Sequence, residues 1–136
     1  MEKSKIQQWL DERIAFTDTV LTGLSNNPID DNMKSTQIGR FTIANHDFKY
    51  CKELYDKIII NNEDIEAKTN FKKLSERLIF STIEFFNQQL NETIRYHGFM
   101  SATKERDEIP QKMVDAIEKD KKFMEEVFNE VQLICN

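Results

Sequence analysis

Residues 71–94, FKKLSERLIFSTIEFFNQQLNETI, constrain the fold more than any other stretch, because their apolar side chains cover more of a helix than one packing face requires. At roughly 100° per residue, Phe71, Leu74, Leu78 and Phe85 fall on one line, and Ile79, Ile83, Phe86, Leu90 and Ile94 on a second beside it. Phe80 widens the arc to about 240°, against the roughly 100° stripe of an ordinary surface helix. Such a helix must be covered from several sides, which points to a bundle or to an assembly of helices.

The rest of the chain supports long helices. Only 3 Gly and 2 Pro occur in 136 residues, so turns are few and elements long. A first helix is expected over 4–24, with Ser4 as N-cap and Ile6, Trp9, Leu10, Ile14, Phe16, Val20, Leu21 and Leu24 on one side. SNNPIDDN, residues 25–32, reads as a loop, since Asn, Asp and Pro turn a backbone more readily than they extend a helix. A second helix follows over 34–60 on the spacing Ile38, Phe41, Ala44, Phe48, Cys51, Tyr55 and Ile58, with Ile43, Tyr50 and Leu54 as a flanking ridge.

Asn61, Asn62 and Asp64 break that pattern, and a third helix is expected over 65–97, roughly 50 Å long, stopped by Gly98. After the linker FMSATKERDEI, Pro110 suits a first helical position, and Met113, Ile117, Met124, Phe128 and Val131 carry a fourth helix to the end. The expected fold is all-α: an antiparallel four-helix bundle with a long third helix, forming one domain over 1–136.

Composition narrows the function classes. A net charge of −5 argues against recognition of nucleic acid through phosphate neutralisation, and the cluster Lys49, Lys52 and Lys57 reads as a solvated face. No run approaches a membrane span and the N-terminus lacks a signal-peptide core, so a cytoplasmic location is expected. Cys51 and Cys135 have neither disulfide-framework nor zinc spacing and read as reduced thiols. Neither His46 nor His97 follows a Glu by three residues, so a di-iron bundle site is not indicated and no cofactor is expected. Gly23, Gly39 and Gly98 are isolated and make no phosphate loop. Nothing supports catalysis.

Three expectations remain. The first concerns association: Ile43, Tyr50, Leu54 and Phe80 exceed what four helices cover, which suits a homodimer or a regulatory, inhibitor or immunity-type protein that docks a protein partner. The second concerns a small ligand: Arg13, Asn45, Thr82 and Asp120 lie near mid-helix and would form an internal polar layer, with Arg13 paired to Asp120.

The third concerns His46. His46 and Lys49 in NHDFKYCK resemble the His-x-x-Lys core of histidine-phosphotransfer domains, helical bundles with a phosphorylatable, solvent-facing His. The resemblance implies phosphoryl transfer through His46, although Tyr50 stands where that family places a glycine.

Overall fold

Helix ends are built from short polar side chains. Ser4 caps the first helix, its Oγ accepting from the Gln7 N–H at 3.1 Å while its carbonyl accepts from Gln8 at 3.0 Å. Between the second and third helices, Asn61 Oδ1 accepts from the Glu63 N–H at 3.1 Å, and Asp64 Oδ1 accepts from Ala67 at 3.0 Å. An Asx turn therefore runs directly into an N-cap.

The structure, a computed structural model, describes the backbone of residues 3–26, 31–100 and 104–136, and the side chains of 3–26, 34–93 and 111–136. Four helices occupy nearly all of it: α1 (Lys5–Asn26), α2 (Asp31–Ile60), α3 (Ile65–Met100) and α4 (Lys104–Cys135). No strand occurs among the described residues. At 36 residues α3 is the longest.

Several boundaries differ from expectation. Ser25 and Asn26 belong to α1, and Asp31 and Asn32 to α2. The Ser25 hydroxyl donates back to the Leu21 carbonyl at 2.9 Å and so is satisfied without leaving the helix. Residues 27–30 of the expected loop lie outside the described residues. Gly98 does not stop α3, which continues to Met100. α4 begins at Lys104 and not at Pro110, leaving Pro110 within the helix, where it cannot donate to the Arg106 carbonyl. Acidic residues in the sequence of these opening turns favour a helix start there.

Neighbouring helices run antiparallel in an all-α four-helix bundle. Ser4 meets Tyr55, Trp9 meets Phe48 and Phe16 meets Phe41, so α1 and α2 pass in opposite directions. Tyr55 faces Phe71 across α2 and α3. Cys135 lies at Lys68 and Phe128 at Phe80, which sets α4 antiparallel to α3.

The chain divides into two compact units, Met1–Ser75 with Val131–Asn136, and Glu76–Glu130. The first unit holds the larger core: Ile6, Trp9, Leu10, Phe48, Cys51, Leu54, Tyr55, Ile58, Ala67, Phe71 and Val131 are buried. Each large apolar side chain sealed there contributes roughly 1.5–3 kcal/mol. The Trp9 ring meets Phe48 edge-on with centroids 5.8 Å apart, while its Nε1 is buried with no hydrogen-bond partner among the described residues. In the second unit only Ile79, Met124 and Val127 are buried hydrophobic residues among those described.

Candidate functional site

The seam between α1 and α2 carries the best-organised polar chemistry. Both amide hydrogens of buried Asn45 are donated to α1, to Thr17 Oγ1 at 2.8 Å and Asp18 Oδ1 at 2.9 Å. The Thr17 hydroxyl donates back to the carbonyls of Arg13 and Ile14, and Asp18 also receives the Lys49 ammonium at 3.4 Å. Farther along the seam, Asp11 accepts from Lys52 at 2.8 Å and from Lys3 at 3.0 Å. Those two hydrogen bonds, that of Lys52 first, hold the Asp11 carboxyl below its usual range, and the bond to Asp11 raises Lys52.

Arg13 of α1 faces aromatic rings. Its guanidinium lies 4.5 Å from the centre of the Phe16 ring and 5.9 Å from that of Phe48, using aromatic faces in place of a carboxylate. Burial pushes its pKa below the ordinary arginine value, partly opposed by the nearby Glu12. Asp120 is exposed on α4, and Thr82 donates to the Leu78 carbonyl in its own helix at 2.8 Å. Of the four residues expected to form an internal layer, Arg13 and Asn45 belong to one unit and Thr82 and Asp120 to the other, and Asp120 is exposed. What forms instead is a two-helix network that ties α1 to α2 at one register.

The histidine is open to solvent. His46 Nδ1 is 3.9 Å from Asp47 Oδ1, and the ammonium of Lys49, the second residue of the His-x-x-Lys pattern, is directed to Asp18. Cys51 is fully buried, and burial, reinforced by Cys135 and Asp47, pushes its thiol up to about 12. A thiol so enclosed is no nucleophile at neutral pH. Among the described residues, no group of three or more His, Cys, Asp and Glu is placed to hold a metal ion. No described helix is long and apolar enough to cross a membrane.

Two open clefts have defined walls. One, about 460 Å³, lies in the first unit between the start of α3 and the end of α4, where Lys68, Lys72 and Lys73 surround Thr69 and Cys135. The Cys135 thiol donates to the Lys68 carbonyl at 3.7 Å. The other, about 310 Å³, lies in the second unit, with Gln89, Glu92 and Thr93 of α3 facing Met113, Ala116 and Ile117 of α4.

Around the second cleft no side chain is sealed. From Phe80 to Thr93 and from Gln111 to Phe123, no side chain is buried, although Ile83, Phe86, Leu90, Val114, Ile117 and Phe123 are half-buried. Phe80, Phe85 and Met113 are 52%, 53% and 49% exposed. Phe80 rests against Phe128 with centroids 5.3 Å apart, whereas among the described residues Phe85 has only its neighbour Phe86, at 6.1 Å, as an aromatic partner.

Of the four expected interface residues, Ile43, Tyr50 and Phe80 are exposed and Leu54 is buried. Leu54 is excluded from any docking face because it packs in the core of the first unit, at 3% exposure. Sequence periodicity did not single out Phe85 or Met113, because both fall on apolar lines that a neighbouring helix was expected to cover. No family model, no curated protein and no solved structure matches this chain.

Proposed function

We propose that this chain is a non-enzymatic, cytoplasmic protein-association module of regulatory type, which docks a polypeptide through the part of the α3–α4 hairpin beyond Ile79 and Met124. The carrying observation is the absence of any buried side chain over residues 80–93 and 111–123, a region otherwise rich in Phe, Ile and Leu. Two helices contact each other along one stripe only, so the flanks of that stripe stay wet unless a further layer covers them. Half-exposed aromatic and aliphatic side chains beside a cleft, such as Phe85 and Met113 here, support a docking reading.

The test is a photo-activated cross-linker incorporated at position 85, with exposed Thr19 on α1 as control position. Docking predicts one adduct of discrete mass at position 85, to this chain or to another polypeptide, which excess unmodified protein competes away. No adduct, or one that excess protein does not diminish, contradicts it.

A further inference from the structure

We propose that the cleft between the start of α3 and the end of α4 binds a small phosphate ester, held by Lys68, Lys72 and Lys73 with the Thr69 hydroxyl as a further donor. The cleft lies wholly within the first unit and shares no residue with the docking flank.

Three cations meet here in a chain whose net charge is −5. At ~100° per residue, positions 68, 72 and 73 fall within about 140° of the α3 surface, so two turns of helix bring all three to one wall. Glu66 and Glu76 belong to the same helix but do not line the cleft, and no acidic side chain does. Elsewhere in the unit, Lys3 and Lys52 are bound to Asp11, and Lys49 to Asp18. Lys68, Lys72 and Lys73 have no hydrogen-bond or ion-pair partner among the described residues, although Lys68 and Lys72 are half-buried. Like charges one turn apart, as Lys68 and Lys72 are, destabilise a helix, and a bound anion relieves that repulsion.

The hydroxyl on the same wall is also unengaged. Thr17, Thr19, Thr22, Thr82 and Thr93 each donate to a carbonyl one turn back in their own helices. Thr69 is helical too, yet its hydroxyl is in no hydrogen bond among the described residues.

Charge and size then select the ligand. A phosphate monoester carries close to two negative charges at pH 7, whereas one carboxylate would leave most of the cationic wall unmatched. Ammonium groups act as compact point charges that suit a tetrahedral dianion; the guanidinium fork that matches a planar carboxylate is absent from the lining. At about 460 Å³ the cleft has room beyond the phosphoryl group, and Ile65, 77% exposed, offers an apolar wall to the rest of the molecule.

Titration with phenyl phosphate, followed through backbone amide NMR shifts, tests this. Saturable shifts are expected over 65–73 and 132–136, with weaker binding of inorganic phosphate, which lacks the apolar body, and of benzoate, which lacks the dianion. Lys72→Gln should weaken binding about fivefold, the worth of one charge pair at about 4 Å in water, and adding Lys73→Gln should weaken it further with helicity unchanged. Lys112→Gln, on the exposed face of α4, should have no effect. Bound phenyl phosphate should also slow maleimide labelling of Cys135. An absence of saturable shifts, equal shifts around Lys49 and Lys52, benzoate binding as tightly as phenyl phosphate, or a helical double variant that binds unchanged would overturn the proposal.

Discussion

Asn45 shows how one side chain links sequence to register. It sits on a face that otherwise reads as apolar, and burying its amide is tolerable only because Thr17 and Asp18 accept both hydrogens. Asn45→Leu leaves the buried Thr17 hydroxyl without its donor, while half-exposed Asp18 keeps Lys49 and water. It is expected to cost roughly 1–3 kcal/mol in denaturant unfolding, and a loss under ~0.5 kcal/mol would mean the network is not structural. Cys51 gives a complementary case. With no exposed surface and a thiol pushed up to about 12, it should resist maleimide in the native protein while half-buried Cys135 reacts. Modification of both at equal rates would show that the first unit opens far more readily than its packing implies.

At the scale of elements, caps and cross-helix ion pairs set where helices begin and how they align. Asp64 ends the turn after α2 and starts α3 by accepting the Ala67 N–H, so Asp64→Ala is expected to lower thermal stability by ~1 kcal/mol. An unchanged melting temperature would contradict that role. The Asp11–Lys52 pair predicts a pH effect with a definite sign. Asp11 has a depressed folded pKa, so its contribution is complete above the unfolded value of about 3.9 and is lost as pH falls through the folded value. Lys52 is raised, and its contribution disappears only as pH climbs past about 10.5. The pair is partly exposed, so Asp11→Asn should cost at most ~1 kcal/mol at pH 7. That difference from the unsubstituted protein should vanish in acid, and a difference that persists at pH 2 would assign the effect to packing.

The same elements show what periodicity could and could not convey. Four helices, the Asn61–Asp64 break and the Ser4 cap were legible because each has a local signature. The ends at Gly98 and Pro110 were misplaced because a helix tolerates one weak residue when its flanking turns are favourable. Heights along the helices suggest Arg13 as an ion-pair partner, but not that its guanidinium would lie over the Phe16 ring one turn along its own helix. Lysines 49 and 52 do lie on a solvated face, but their partners Asp18 and Asp11 are on another helix, and only the antiparallel register brings them together. Leu54 was assigned to the surface by angle alone, although a core fed by several neighbours accepts a wider arc.

For the whole molecule, the contrast between the two units carries the functional argument. The first seals Trp9, Phe71, Leu10 and Ile6 almost completely, while the second leaves Phe85 and Met113 half in water. Local stability should follow that contrast, since backbone hydrogen bonds in a helix pair without a sealed core open at lower free energy. The most direct measurement is amide hydrogen exchange on the dilute, dissociated chain and again under conditions of association. Amides of residues 81–92 and 112–122 are expected to exchange well ahead of those around Leu10 and Cys51 when dissociated, and to gain protection when the flank is covered. Equal protection of both regions in the dissociated chain would show that the hairpin needs no partner, and would contradict the account.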